Sequence, residues 1–284
     1  HFDMYGAIFV EPDLPEADLA VLFMHNEGYS VMCGHAVIAL GRYAIDKGLV
    51  QSTSRSNEDD TVQVKIQCPC GLVTAKVDYK NGKTGRVSFL SVPSFAFALD
   101  VVVDVPGYGT VTVDIGYGGS FYALLPARQL GLDIHMATAK QISDAAWATA
   151  EELRKQVKLH HPDSEDLAFL YGVILTDGRD EYEEKPTVNV CMFANREIDR
   201  SPCGSGVTAR AAVQYARKQV GLGQQRRFTN ALTGSEFTAK VMEETTVGEF
   251  KAVKVEVGGK GHYAGSATYT LEDDDEVGRG FFFQ

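Results

Sequence analysis

The chain has 284 residues and opens on His1, enough at about 150 residues per domain for two domains and a core needing no disulfide or structural metal. Hydrophobic residues make up 44% and charged residues 23%, with 28 glycines and 9 prolines, which excludes a disordered, collagen-like or membrane-spanning chain. The 27 basic and 38 acidic side chains leave a net charge of −11, the wrong sign for a nucleic-acid or anionic-membrane partner.

In chain order, residues 6–24 read as two strands around a Pro-rich acidic turn. Residues 35–47 carry apolar positions at helical spacing, with Gly48 where a C-cap sits. The stretch 51–61 (QSTSRSNEDDT) is a polar, exposed loop. VQVKI, LVTAKV, RVSFLSV, VVVDV and VTVDI follow as strands punctuated by Gly and Asn-Gly. A helical pattern covers 136–158 and is expected to end at His160-His161. Strands LAFLYGVIL and VNVCMF come next, then a helix over 206–220, then strands through most of 236–270. The tail LEDDDEVGRGFFFQ is acidic and then aromatic.

The order also repeats. Cys33-Gly34, a helix, a loop and Thr74-Ala75-Lys76-Val77 are matched by Cys203-Gly204, a helix, a loop and Thr238-Ala239-Lys240-Val241. The cysteine-to-TAKV distance is 41 residues in one half and 35 in the other. Agreement of several elements in order points to a duplication. Two related halves facing each other would set both cysteines against one central cleft.

The five cysteines are too few for a disulfide scaffold, and an odd number leaves at least one thiol free. Cys68 and Cys70 form a CxC without a second pair, and with Cys191 they sit on strand-like runs, where a thiol is an ordinary small hydrophobe. Cys33 and Cys203 differ, because each precedes Gly where the chain turns into a helix. The first-turn amides of a helix have no partner within it and favour an anion, so a thiol there is expected to have its pKa lowered. The N–H groups of Gly34-His35 and Gly204-Ser205 are placed to hold a carboxylate.

Two thiols flanking a held carboxylate suit proton transfer at an amino acid's α-carbon without a cofactor. A thiolate takes the proton from one face, a thiol returns one from the other, and donors stabilise the developing enediolate charge. Asp199, four residues before Cys203, is the acceptor for the substrate amine, with a turn or helix-start cap as its structural alternative. The histidines show no zinc-binding spacing, and no metal or cofactor is expected. The reading from another class is a non-catalytic amino-acid-binding protein, whose binding would be insensitive to alkylation of Cys33 and Cys203.

At these residues the sequence resembles the proline racemase family, which also holds hydroxyproline epimerases and trans-3-hydroxy-L-proline dehydratases. MCGH at 32–35 and DRSPCGSG at 199–206 are similar to its two signature cysteine segments, and DMYGAI at 3–8, DIGYGGSFYA at 114–123 and GSEFTAKV at 234–241 are also familial. The resemblance covers essentially the whole chain. It implies an α/β (α+β) fold of two similar diaminopimelate-epimerase-like domains, each a curved sheet around a central helix, with the active site between them. The expected division is 1–125 and 126–284, with the extreme C-terminus packing back on the first domain. Family members have several tens of residues before the segment resembling DMYGAI, so early strands of the first domain are expected to lie before His1.

The resemblance makes Cys33 and Cys203 the acid/base pair. Gly34, His35, Gly204 and Ser205 become the carboxylate contacts, Asp199 the ring-nitrogen contact, and Tyr5 and Phe193 aromatic pocket walls. For Phe193 the alternative is plain core packing. Segments such as HPDSEDLAFLYGVILTDG look most like the dehydratase branch, which typically has Thr where this chain has Cys203. In trans-3-hydroxy-L-proline the α-hydrogen and the hydroxyl share a ring face, so elimination needs one base, whereas inversion needs one on each face. Cys203 therefore favours a two-thiol racemase or 2-epimerase of proline or hydroxyproline. Dehydration of trans-3-hydroxy-L-proline is the alternative, and both activities are compatible in one site. The expected partner is a small imino acid. A homodimer and a cytoplasmic location complete the expectations.

Overall fold

The computed structural model describes residues 4–50, 55–56 and 60–278. Most of the polar stretch 51–61 and the aromatic end of the tail lie outside the described residues. Among the described residues sixteen strands form one mixed sheet, in the order β1-β2-β5-β6-β7-β16-β15-β14-β12-β11-β10-β9-β8, with β3 (Gly28–Ser30) beside β2, β4 (Arg55–Ser56) beside β5 and β13 (Glu197–Ile198) beside β12. The first part runs from β1 (Tyr5–Val10) and β2 (Leu19–His25) through β5 (Thr61–Cys68), β6 (Gly71–Lys80) and β7 (Lys83–Leu90). It curves against α1 (Gly34–Asp46), whose apolar stripe buries Val37, Ile38 and Leu40.

The second part closes on itself. β8 (Ser94–Val105), β9 (Gly109–Tyr117), β10 (Phe121–Pro126), β11 (Leu170–Thr176), β12 (Thr187–Phe193), β14 (Gln225–Asn230), β15 (Glu236–Val247) and β16 (Phe250–Gly259) follow one another. The ring is completed where Ala252 and Val253 of β16 pair with Phe95 and Ser94. Helix α3 (Gly204–Ala216) packs against strands from several sides of this ring, and every residue from Gly204 to Gln214 is buried. That burial is why its sequence, GSGVTARAAVQ, is small and nearly free of charge. Its one cation, Arg210, is bonded to Asp180, Thr187 and Asn189, as a buried charge must be. Helix α2 (Ala139–Gln156) packs on β8, β11 and β12, and starts with a capping box between Thr138 and Gln141.

β16 joins the two parts. Its C-terminal end pairs with β7, and Ala75, Phe89, Val257 and Ala239 line up in one row across β6, β7, β16 and β15. The two TAKV segments thus flank the junction at matching positions. Beyond β16, Tyr263 bonds to Asp46 and Gly261 accepts from Arg42, which lays the following chain on α1.

β8 to β10 pair with the strands of the second part, and β10 itself spans residues 125 and 126. Several expectations about single elements change. β10 and β14 were not foreseen as strands, and residues 260–270 form none, where Gly261 and Gly265 interrupt the apolar pattern. Helix α2 ends at Gln156, four residues before His160, and His161 is buried beside the ring of Tyr117.

Candidate active site

The two Cys-Gly helix starts meet directly. A Cβ on Gly204 would lie 2.5 Å from the Cα of Gly34, and one on Gly34 would lie 2.7 Å from the Cα of Gly204. No other residue fits at either position without moving backbone. Gly118, in the turn between β9 and β10, lies as tightly on the backbone of Ser205 and Ala209, which fixes the start of α3 from the other side.

This contact places the first turns of α1 and α3 on one cavity of about 310 Å³. All nine residues singled out in the sequence line it: Cys33, Cys203, Gly34, His35, Gly204, Ser205, Asp199, Tyr5 and Phe193. The first-turn amides of both helices lack intrahelical acceptors, which suits a carboxylate in this space.

Cys33 is the N-cap of α1 with ordinary extended backbone, and its Sγ accepts the Ala36 N–H at 3.4 Å. The expectation of a lowered pKa is overturned here. Burial pushes the Cys33 thiol up to about 12, against the pull of the Ala36 N–H and the Tyr5 hydroxyl, and the charges of Asp199 and Cys203 add to the rise. Withdrawal from water outweighs the helix end.

Cys203 is the N-cap of α3 but has φ 69° and ψ 111°, and its side chain takes no cap hydrogen bond. That positive φ is costly for a residue with a Cβ. It is held by a buried chain of bonds: Arg210 donates to Asn189, Asn189 to the Pro202 carbonyl, and Asn230 to the carbonyls of Asp199 and Ser201. The Cys203 Sγ instead lies 3.5 Å from the Tyr122 hydroxyl, which is 2.7 Å from Ser205 Oγ.

Asp199 closes a turn and also lines the cavity. Its Oδ1 accepts from the N–H and hydroxyl of Ser201, closing a turn, while the carboxylate lines the cavity 4.0 Å from His35 Nδ1. Burial raises its pKa, opposed by the Ser201 N–H and by His35. Phe193 is likewise both packed and lining. It stacks on Tyr171 at 5.6 Å and meets Tyr5 edge-on at 5.8 Å.

Sequence reasoning missed the hydroxyls. Tyr122 and Tyr171 line the cavity, and Tyr5 bonds to Ser30. Tyr122 lies inside DIGYGGSFYA, a segment noticed as familial but assigned no part in the site. Tyr171 sits in an apolar strand that reads as core. Among the described residues, no group of three or more His, Cys, Asp or Glu is arranged to hold a metal, and no helix is long and apolar enough to cross a membrane.

The fold is α/β, with a mixed-sheet barrel of the proline racemase and diaminopimelate epimerase type. A hydroxyproline epimerase from Agrobacterium vitis, solved with bound trans-4-hydroxy-L-proline, superposes with a TM-score of 0.87 at 27% identity, over 98% of this chain and 77% of that one. The proline racemase family model matches residues 1–282, and the chain belongs to this family. Within it, a trans-L-3-hydroxyproline dehydratase from Xenopus tropicalis is 54% identical over the whole chain and 80% of its own length. The human trans-3-hydroxy-L-proline dehydratase is also 54% identical, over 100% of this chain and 80% of its own. The protein is thus an enzyme of the racemase, epimerase and dehydratase group, with sequence neighbours on the dehydratase side.

Proposed function

We propose that the chain dehydrates trans-3-hydroxy-L-proline to a pyrroline-2-carboxylate. The observation that carries this reading is the level of identity to dehydratases, over twenty points above that to the epimerase of matching fold. It reverses the order suggested by Cys203 alone. In this reading the amides of Gly34, His35, Gly204 and Ser205 hold the carboxylate, Asp199 accepts from the ring ammonium, and Tyr5 and Phe193 wall the ring from water. The ammonium offsets the charge of Asp199, so a bound substrate makes ionisation of Cys33 less costly than in the empty cavity. The Cys33 thiolate takes the α-proton. The C3–O bond then breaks, a ring double bond forms, and the same thiol returns the proton to the departing hydroxide as water. The enamine tautomerises to the ketimine.

A second reading, inversion at Cα, is favoured by one specific observation: a second thiol, Cys203, lines the same cavity as Cys33. The matched Cys-Gly helix starts and the TAKV row about the β7–β16 junction support two related halves around this site. One experiment separates the readings: ketimine formation from trans-3-hydroxy-L-proline, measured beside chiral analysis of L-proline and both hydroxyprolines in D₂O. Ketimine is expected. Inversion with solvent deuterium at Cα and no ketimine would overturn the dehydratase reading in favour of the racemase.

A further inference from the structure

Two hydroxyl groups stand behind Cys203. Tyr122 comes from β10 and is fully buried, and Ser205 from the first turn of α3 is buried with it. The contacts run from Cys203 Sγ to Tyr122 Oη at 3.5 Å and from Tyr122 Oη to Ser205 Oγ at 2.7 Å.

A buried thiol that changes protonation state needs different partners in each state. The thiol donates a hydrogen bond and the thiolate only accepts them. A backbone N–H, such as the Ala36 N–H on Cys33, suits the thiolate better than the thiol, whose sulfur accepts only weakly. A phenol serves both, because its hydrogen rotates. With Cys203 protonated, the S–H donates to Tyr122 Oη and Tyr122 donates to Ser205. With Cys203 ionised, Ser205 donates to Tyr122 and Tyr122 donates to sulfur. Neither change moves a heavy atom, and no buried polar group loses its partner.

We propose that Tyr122 is a positioning residue whose reversible hydrogen bond, backed by Ser205, holds Cys203 in place in both protonation states. Ionisation removes only the Cys203 thiol proton, to the substrate carbon or to solvent, while Tyr122 and Ser205 keep theirs and only reorient. The inference rests on Cys203 being a proton-transfer thiol, as in the second reading above, but its test needs no turnover.

The test is iodoacetamide alkylation of the full chain from pH 6 to 11, with Cys203 and Cys33 quantified separately by peptide mass. In Tyr122→Phe the pH midpoint for Cys203 is expected to rise by about one unit, a roughly tenfold slower reaction on the lower arm, while the Cys33 profile stays where it was. Ser205→Ala keeps the phenol but removes its partner, and is expected to move the Cys203 midpoint the same way by less. An unmoved Cys203 profile in folded Tyr122→Phe, or equal movement of both thiols, overturns the proposal. Should Tyr122→Phe fail to fold, an unmoved Cys203 in Ser205→Ala overturns it alone. A wild-type chain that neither dehydrates nor inverts would sink the functional reading and leave this result standing.

Discussion

The two helix starts look alike in sequence and differ in chemistry. At α1 the N-cap Cys33 has φ −138°, and its sulfur takes a backbone N–H in the manner of a serine cap. At α3 the N-cap Cys203 has φ 69°, and its sulfur turns away from the helix amides toward a phenol. A repeated motif therefore specified the place of both thiols and not their environment. The first site supplies a donor that favours thiolate, while the second supplies a hydroxyl that accepts or donates. Two thiols on one cavity need not be tuned by the same means.

The sharpest way to test that asymmetry is to remove each sulfur in turn. Cys33→Ala is expected to abolish dehydration and inversion together, with a loss of about 10²–10⁴ in rate for the missing acid/base, measured as ketimine formation and as deuterium uptake into proline. Cys203→Thr is expected to remove any inversion by a similar factor while dehydration stays within a few-fold. A parallel collapse of dehydration in this variant would make the two thiols equivalent. Gly204→Ala strikes the contact both helices share. Its new Cβ meets the backbone of Gly34, and a stability loss of about 1–3 kcal/mol is expected from overpacking, read as a lower denaturation midpoint.

The smallest expected effect concerns Asp199. Burial holds the Cys33 thiol well above its ordinary range, at about 12, and the Asp199 charge adds to the rise. Removing a negative charge favours the thiolate, so Asp199→Asn is expected to move the pH midpoint for Cys33 alkylation downward, by about half a unit. An upward shift would mean that Asp199 acts on Cys33 through the turn with Ser201 instead of through its charge.

Much of the site was legible in the chain because its parts are local. A Cys-Gly pair at the start of an apolar helical pattern is a complete local statement, and both helices form where that pattern places them, with α3 beginning two residues earlier at Gly204. The structural alternatives for Asp199 and Phe193 were also legible: Asp199 closes a turn and Phe193 packs on Tyr171, and both line the cavity. Tyr122 and Tyr171 were not, since nothing in FYALLP or LYGVILT separates a tyrosine facing a cavity from one in a core. The strands β10 and β14 were missed for a related reason. The first is buried along five of its six residues and lacks alternation, and the second is short and rich in Arg and Gln.

The sequence by itself determined the pairing of motifs, the family resemblance and the two thiols, because these depend on residue type and on order along the chain. Tertiary structure decided that β8 to β10 belong with the later strands, that Gly34 and Gly204 touch, and that burial lifts the Cys33 thiol above its ordinary range. Those outcomes depend on which surfaces exclude water from one another, and residues 170 positions apart, such as Gly34 and Gly204, reveal that only when the chain is folded.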